Sequence, residues 1–359
     1  MQPFIYTALP ARVIFGFGTI EQLPAEVRAL GAARAFVVFT AQQSATGEEL
    51  ARRLGPLAAG TFAGAAMHTP VEVTGRALQQ LRACEADCIV ALGGGSSTGL
   101  GKALALRTDL PQIVIPTTYA GSEATPILGE TQGGLKTTQR SLAVLPEVIL
   151  YDVDLSLTLP PGISAASGLN AMAHAIEALY ARDTNPLIST LAVQAVAALG
   201  KALPILVDSP RDREARSDAL YGAWLGGVCL GSVGMALHHK LCHTLGGSFD
   251  LPHAETHAVL LPYTVAYNAG AARHAMQRVA EALGVGDAAQ GLYALGRRLG
   301  VPASLAALGL PESGLDRAAA LAAANPYWNP RPIERDAIRA LLSDAFHGRP
   351  PTSARSQER

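Results

Sequence analysis

The chain has 359 residues, which at about 150 residues per domain predicts two domains and a sizeable hydrophobic core. Its 28 lysines and arginines balance 29 aspartates and glutamates, and the net charge is −1. Without a basic excess the chain lacks the field that attracts a phosphate backbone, so we expect no nucleic-acid partner. Four cysteines in a chain of this length also exclude a small disulfide-stapled module.

Cysteine spacing and apolar segments indicate the cellular location of the chain. The cysteines show no CxxC spacing, so we expect reduced thiols in a cytoplasmic protein: Cys84, Cys88, Cys229 and Cys242. No basic segment followed by an apolar stretch begins the chain, so no signal peptide is expected. The most apolar long stretch, 187–207, contains Ser189, Gln194 and Lys201, which favours a buried helix over a membrane span. We therefore expect no membrane partner.

Short β-branched runs alternate with amphipathic stretches over the first 150 residues, a pattern typical of βαβ units and a parallel sheet. The pattern predicts strands at 35–39, 88–92, 112–115 and 148–152, and helices at 48–54 and 73–84. Three of these strands end where polar or glycine-rich loops begin, at Thr40, Gly93 and Pro116. Ligands bind at such carboxyl-end loops in open α/β sheets, so we expect a binding site there.

The second half of the sequence is rich in alanine and leucine, which predicts an all-helical domain. Helices are predicted at 164–181, 186–206, 212–230 and 333–346, with prolines at 186, 210 and 326 marking interruptions. We therefore expect a Rossmann-like α/β domain over 1–158 and an all-α domain over 159–348. The tail, 349–359, lacks large apolar residues and is predicted to be disordered.

A glycine-rich turn lies between a predicted strand and a helix: Gly93, Gly94, Gly95, Ser96 and Ser97. Backbone N–H groups at such a helix N-terminus bind phosphates, although the glycines are also compatible with a purely structural turn. The segment is neither a P-loop nor GxGxxG, because Ala103 and Thr98 occupy positions those motifs reserve for other residues. Thr117 and Thr118 follow the next predicted strand, and two neighbouring polar loops favour a dinucleotide.

Five of the nine histidines fall within twenty residues: His238, His239, His243, His253 and His257. His239 and His243 are four residues apart and share one helix face, and a predicted turn at 248–252 brings His253 back beside them. Asn170 and His174 form another pair four residues apart. A lone histidine is usually an ordinary core residue, and His238 and His257 are individually compatible with that interpretation. The clustering nevertheless indicates a catalytic or metal-binding site.

Several segments together resemble the iron-containing alcohol dehydrogenase superfamily over nearly the whole chain. They are GGGSS (93–97), PTTYAGSEAT (116–125), GLNAMAHAIEALY (168–180) and HHKLCHTLGGSFDLPHAETHA (238–258). Further segments are similar to the maleylacetate reductase branch: FGFGT (15–19), GGGSSTGLGKALAL (93–106), KTTQRSLAVLPEVILYD (136–152) and NPYWNPRPIERDAIRALL (325–342). The resemblance implies a dehydroquinate synthase-like architecture, a homodimer, and reduction of the carbon–carbon double bond of maleylacetate to 3-oxoadipate in aromatic breakdown, with NADH or NADPH.

The resemblance also implies roles for the histidine segments. Metal-dependent relatives hold their ion with an aspartate and three histidines, and these positions are Asn170, His174, His239 and His253 here. The asparagine removes the only anionic ligand, so we expect no metal requirement; if a metal binds, these four residues hold it. His243 matches a further active-site histidine that is not a ligand.

Two other departures concern the cofactor. Gly99 stands where the wider superfamily often carries aspartate, and Thr40 replaces an acidic residue that would bind a ribose 2′-hydroxyl. The choice between NADH and NADPH is therefore open. The expected cofactor contacts are Gly93, Gly94, Gly95, Ser96, Ser97, Thr117, Thr118 and Thr40.

The chemistry of an enone predicts what the remaining residues do. Hydride adds to the alkene carbon β to the ketone, and negative charge gathers on the ketone oxygen. We expect His243 to be the proton donor or oxyanion partner, and His253, His239 and His174 to be further catalytic hydrogen-bond donors.

The substrate is a dicarboxylate, so cations and hydrogen-bond donors are expected in a cleft between the domains. The expected substrate contacts are Tyr119, Asn170 and Lys240. Arg140 and Lys136 are further cationic candidates, and Asn325 and Tyr327 are candidates for shaping the pocket.

Three other functions stay open at this point. A metal-dependent alcohol or polyol dehydrogenase shares the superfamily, but Asn170 counts against it. A dehydroquinate synthase-like lyase shares the architecture, but it needs a lysine and arginine set for a phosphate that the helical half does not supply. A nucleotide-binding sensor would bind the cofactor without turnover.

Overall fold

The computed structural model describes residues 3–9, 11–324 and 327–352, without the side chain of Lys136. The chain divides into two compact units: an α/β unit, Ala8–Leu159, and a helical unit, Pro160–Arg359 together with Met1–Thr7. The predicted fold class, an α/β domain followed by an all-α domain, is confirmed. Residues 3–7 group with the helical unit, although they were predicted to belong to the α/β domain.

The α/β unit contains a six-stranded parallel sheet and a separate antiparallel hairpin. Its strands are β1 (Arg12–Gly16), β2 (Ala35–Val38), β3 (Ala58–Phe62), β4 (Cys88–Gly93), β5 (Gln112–Pro116), β6 (Ile127–Gln132), β7 (Leu135–Arg140) and β8 (Val148–Asp152). The sheet has the order β1-β8-β5-β4-β2-β3, and β6 pairs with β7. The four predicted strands are confirmed to within one residue at each end.

Helices cover both faces of this sheet: α1 (Leu23–Ala29), α2 (Ser44–Leu54), α3 (Val71–Ala83) and α4 (Gly95–Thr108). Alternate residues of β4 point to opposite faces. Val90 packs in one core with Leu50 of α2, and Ile89 packs in the other with Leu104 of α4. Because both faces are buried, the central strands are continuous apolar runs, which is why their sequence pattern was clear.

The helical unit consists of α5 (Pro161–Leu179), α6 (Pro186–Asp208), α7 (Arg213–Ser232), α8 (Leu237–Phe249), α9 (His253–Asn268), α10 (Arg273–Leu283), α11 (Ala288–Arg298), α12 (Leu315–Ala324) and α13 (Arg335–His347). Helix α5 is its centre, and every residue from Ser164 to Leu179 is buried. Small residues allow this burial. A Cβ at Gly226 of α7 would lie 2.6 Å from the carbonyl oxygen of Ala171, so these helices cross in close contact.

Helix α6 is, among the described residues, the one helix long and apolar enough to cross a membrane, and the bent pair α7 and α8 is the other segment that passes the same test. Of the 18-residue apolar window of α6, 39% is buried inside the structure. The helix packs against α5, α7 and α10. A core helix passes this test equally, so the finding is weak evidence for a membrane span.

The C-terminal tail differs from its prediction in its first residues. Arg349 contacts the carboxylate of Asp344, and the amide of Gln290 donates to the carbonyl oxygen of Pro351, which is buried. The predicted disorder is therefore wrong for 349–352. The rest of that prediction, 353–359, lies outside the described residues.

Candidate active site

The glycine-rich turn connects the carboxyl end of β4 to the first turn of α4. Gly93 has φ +139°, and a Cβ there would lie 2.4 Å from Gln43 Oε1 and 2.5 Å from Ser97 Oγ. A Cβ at Gly94 would lie 2.8 Å from the side chain of Thr118. Gly95 is different, because nothing lies within 4 Å of its Cβ position. The first turn of α4 thus presents its N–H groups to open space at Gly95, which suits an anionic phosphate.

Three loops meet at this edge of the sheet, because β5, β4 and β2 are neighbours. The Gln43 amide, which sequence reasoning missed, donates to Thr117 Oγ1 at 2.8 Å and joins the β2 loop to the β5 loop. Thr40 lies in the same β2 loop. Ser96 and Thr118 are half-buried, whereas Ser97 is fully buried and packs against Gly93.

Gly99 lies against a strained loop. A Cβ at this position would be 2.2 Å from Thr69 Oγ1. Thr69 and its neighbour His68 have positive φ, 47° and 63°, which β-branched residues rarely adopt. The aspartate of wider relatives cannot be accommodated here unless Thr69 moves.

The loop after β5 contains a group of buried polar side chains. Tyr119, a predicted substrate contact, is fully buried. Lys102 of α4 and Glu123 are each 1% exposed, and Tyr151 of β8 donates to Glu123 Oε1 at 2.8 Å. Burial raises the pKa of Glu123. Burial lowers the pKa of Lys102 to about 7, against the opposing charge of Glu123.

Helix α5 aligns three polar side chains on one buried face, at intervals of four and three residues: Asn170, His174 and Glu177. Glu177 was not predicted as a site residue, although its spacing from His174 was the available signal. Its carboxylate accepts hydrogen bonds from the backbone N–H of Ala236 at 3.0 Å and of His238 at 2.8 Å. It therefore caps the N-terminus of α8, where the helix dipole favours an anion.

The same carboxylate fixes His239. His239 Nδ1 lies 2.6 Å from Glu177 Oε2, and both side chains are buried. Burial raises the pKa of Glu177, but the hydrogen bond and charge of His239 outweigh it and lower the pKa to about 2. A carboxylate can only accept, so His239 donates from Nδ1, and its Nε2 is a bare acceptor when the ring is neutral.

Six imidazoles lie in one cluster, and the four predicted catalytic histidines are among them. Ring centroids are 5.1 Å apart for His174 and His239, 6.2 Å for His239 and His243, and 6.2 Å for His243 and His253, which are stacked. His174 is buried, His253 is half-buried and His243 is exposed. Burial and the neighbouring imidazoles lower the pKa of His174 well below its usual value.

The remaining two imidazoles form a hydrogen-bond chain. His238 Nδ1 lies 2.9 Å from Thr264 Oγ1, and His238 Nε2 lies 2.9 Å from His257 Nδ1. The Thr264 hydroxyl donates to the carbonyl oxygen of Leu261 at 3.0 Å, so it accepts from His238 Nδ1. His238 Nε2 then accepts from His257 Nδ1, and His257 Nε2 carries a lone pair. The opposite direction would leave a buried Nε2–H of His257 without an acceptor. A buried N–H without a partner is rarer, and costs more free energy, than a buried nitrogen lone pair without one.

The four predicted ligand positions do not fit a tightly bound divalent ion. Among the described residues, the one group of three potential ligand side chains within 4.8 Å is His238, Cys242 and His257, and in it His238 and His257 are bonded to each other. Three buried atoms without hydrogen-bond partners could act as metal ligands: Asn170 Oδ1, His174 Nδ1 and His239 Nε2. All three would be neutral ligands. Glu177 can balance a metal's charge only through His239. An ion would therefore lack an anionic ligand.

The predicted substrate contacts are spread over both units. Lys240 of α8 is half-buried, with Nζ 5.7 Å from the centre of the Tyr327 ring. Arg140 is exposed at the end of β7. The side chain of Lys136 and all of Asn325 lie outside the described residues.

Comparison with known proteins gives consistent results over the whole chain. Residues 10–153 match the family described as iron-containing alcohol dehydrogenase, and residues 164–346 match the C-terminal part of the Fe-containing alcohol dehydrogenase family. The chain is 62% identical to maleylacetate reductase from Rhizobium sp. (strain MTP-10005) over 98% of this chain and 100% of the relative. It is 53% identical to maleylacetate reductase from Sphingobium indicum over 98% of this chain and 99% of the relative.

Solved structures agree. The crystal structure of maleylacetate reductase from Agrobacterium tumefaciens has a TM-score of 0.95 and 60% identity, covering 98% of this chain and 100% of that one. An iron-containing alcohol dehydrogenase from Corynebacterium glutamicum has a TM-score of 0.93 and 41% identity, covering 97% and 98%. The resemblance inferred from the sequence is confirmed, and the chain belongs to the iron-containing alcohol dehydrogenase family.

Proposed function

We propose that this chain is an oxidoreductase that reduces the carbon–carbon double bond of maleylacetate to 3-oxoadipate in the breakdown of aromatic compounds. The observation that carries the proposal is full-length identity of 62% and 53% to proteins named maleylacetate reductase. Asn170 at the one position where metal-dependent relatives supply a carboxylate points in the same direction, because reduction of an enone needs enolate stabilisation and not a Lewis acid on a ketone.

The cofactor is NADH or NADPH in this proposal. The residues fit a dinucleotide: α4 begins at a glycine with open space around it, and the polar loops after β2 and β5 lie on either side. Gly93, Gly94, Gly95 and Ser96 would hold the pyrophosphate, with Thr117 and Thr118 beside it. Thr40 neither binds a 2′-hydroxyl as a carboxylate would nor repels a 2′-phosphate, so this residue does not select between the two cofactors. When bound, the reduced nicotinamide supplies hydride to the alkene carbon β to the ketone.

The histidine cluster stabilises the negative charge on the enolate oxygen and supplies the proton to the α carbon. His243 is exposed and is the proposed donor of the proton to the α carbon, because an exposed imidazole can be reprotonated by solvent. His253 stacks on it and donates to the developing enolate oxygen. His174 is held neutral by burial. Because His239 Nδ1 is bound to Glu177, Nε2 is the nitrogen of His239 that is proposed to contact the substrate.

The partners follow from the same chemistry. The substrate is a small dicarboxylate, and Lys240, close to Tyr327, is the proposed cationic contact. Asn170 contributes an amide, and Tyr119 is a further proposed substrate contact. We propose a cytoplasmic homodimer that requires neither nucleic acid nor membrane.

We further propose that turnover requires no metal. The support is that Asn170, His174 and His239 offer only neutral ligand atoms. A metal-dependent alcohol dehydrogenase would need an anionic ligand at the position of Asn170.

One experiment tests these proposals together. The purified protein is dialysed against a chelator, and oxidation of NADH or NADPH is followed with maleylacetate and, in reverse, with simple alcohols. We expect rapid oxidation with maleylacetate and no gain from added iron or zinc. Turnover that appears only with metal, or only with alcohols, would contradict the proposal. In the metal-free enzyme, His243→Ala should lower kcat about 100-fold at saturating cofactor.

A further inference from the structure

Lys102 is a fully buried lysine that the proposed reaction does not use. It lies in the second turn of α4, after the glycine-rich turn. Its Nζ donates to the carbonyl oxygens of Ser122 at 2.6 Å, Thr125 at 2.6 Å and Ile127 at 3.0 Å, and to Thr125 Oγ1 at 3.0 Å. All four acceptors belong to the segment after β5, so a single side chain ties α4 to this loop.

The acceptor set favours the ammonium form. A neutral amine has two N–H groups, and an ammonium has three, which four oxygen acceptors use more completely. Charged donors also make the stronger hydrogen bonds. If the ammonium were lost, buried carbonyl oxygens would be left without a partner, and that is costly in a dry environment.

A second anchor holds the same loop from the other side. Glu123 lies between the bonded residues Ser122 and Thr125, and its Oε1 accepts from Tyr151 of β8 at 2.8 Å. The loop is therefore fixed to a helix by Lys102 and to the sheet by Tyr151.

The fixed loop is the one that meets the proposed cofactor turn. Thr118 lies so close to Gly94 that a Cβ there would be 2.8 Å from its side chain, and Thr117 receives a hydrogen bond from Gln43. A shift of this loop by a few tenths of an ångström would change the width of the gap between the two phosphate-binding segments.

We propose that Lys102 is a positioning residue for cofactor binding, which holds the loop after β5 at the distance from the α4 N-terminus that a dinucleotide pyrophosphate requires. The proposal rests on the proposed function for the identity of the ligand. Lys102 does not touch the cofactor, so its removal should weaken binding of NADH and leave the chemical step unchanged.

Direct binding measurements test this. NADH affinity is measured by fluorescence titration for the wild type, Lys102→Met and the control Lys201→Met, which removes an exposed lysine on α6 and the same charge. We expect Lys102→Met to raise the Kd for NADH about tenfold and to leave kcat at saturating NADH within about twofold of the wild type. Hydrogen exchange should rise in 117–127. Lys201→Met should change none of these quantities.

A milder variant serves if Lys102→Met does not fold. Thr125→Val removes one acceptor and keeps the buried lysine side chain, and it should raise the Kd for NADH about threefold. Unchanged NADH affinity in folded Lys102→Met, or in Thr125→Val where only that variant folds, would overturn the proposal. A fall in kcat with unchanged Kd would overturn it equally. Failure of the wild type to reduce maleylacetate despite tight NADH binding would refute the proposed function alone, because these titrations need no substrate.

Discussion

His239 Nδ1 lies 2.6 Å from Glu177 Oε2, and the same carboxylate accepts the backbone N–H groups that begin α8. One buried side chain of α5 therefore positions both the helix that carries His239 and His243 and the ring of His239 itself. Glu177 accepts from backbone N–H groups, from the His239 ring and from the hydroxyl of Tyr180 at 3.3 Å, and these donors favour its ionised form. The geometry makes Glu177 a positioning residue for the histidine cluster.

Glu177→Gln should disturb stability and turnover together. Glutamine has the same size, but its amide nitrogen cannot accept from His239 or from the α8 backbone. We expect the free energy of unfolding to fall by about 2 to 4 kcal/mol, since a buried charged hydrogen-bond network is broken. We expect kcat to fall at least tenfold. Urea unfolding and steady-state kinetics measure both, with the exposed Glu214→Gln as the control.

Acid stability should report the same carboxylate. The pKa of Glu177 is about 2 in the folded chain, below its usual value of 4.5. A depressed folded-state pKa adds stability that is fully present above pH 4.5 and is lost as the pH falls towards 2. The wild type should lose on the order of 3 kcal/mol more than Glu177→Gln across this window. Parallel losses in the two proteins would show that Glu177 is not specifically stabilised.

The sequence predicted the central strands and the long helices well, and it missed elements whose signals are weak. Strands β1 and β3 are at the sheet edges and are partly exposed, so neither has the continuous apolar run of β4 or β5. The hairpin of β6 and β7 is polar on both strands. None of these segments contains the pattern that burial on two faces imposes.

The site shows a similar division. Histidine clustering and four-residue spacing predicted that His174, His239, His243 and His253 lie together, because helical periodicity fixes such neighbours. Glu177 was missed because its partners on α8 are about sixty residues away along the chain, a pairing that only the tertiary fold creates. Tyr119 lies in a polar loop of the sequence, and only the tertiary fold shows that its side chain is completely buried.

Asn170→Asp should restore affinity for a divalent metal. The carboxylate would supply the anion that the present neutral donors lack, next to His174 and His239. We expect the affinity for Zn²⁺ to rise at least tenfold, measured by competition with a chromogenic chelator, and metal-free turnover with maleylacetate to fall. Asn185→Asp is a matched control, because Asn185 caps α6 through Oδ1 and aspartate can do the same. Equal Zn²⁺ affinity in the wild type and Asn170→Asp would show that Asn170 does not determine the metal affinity of the site.

Gly99→Ala should destabilise the α/β unit, and Thr69→Ala should rescue it. The new Cβ would lie 2.2 Å from Thr69 Oγ1, in a loop already strained by positive φ. We expect a loss of about 1 to 3 kcal/mol for the single variant and at least half of it back in the double variant. Gly95→Ala is the contrasting variant, since open space surrounds its Cβ position. It should keep stability and weaken NADH binding. An additive double-mutant cycle would show that the contact with Thr69 is not the cause.

Thr264→Val should change the tautomer of His257 through His238, to which Thr264 is hydrogen-bonded. Thr264 Oγ1 accepts from His238 Nδ1, and this bond fixes the direction of the chain that leaves His257 Nε2 as an acceptor. Valine has nearly the same shape but cannot accept, so the bias is lost. Histidine ¹⁵N NMR should show a protonated Nδ1 and a bare Nε2 for His257 in the wild type and in Thr264→Ser, and a mixture in Thr264→Val. A protonated Nε2 in the wild type would mean that the chain runs in the opposite direction, with His257 donating into the cluster.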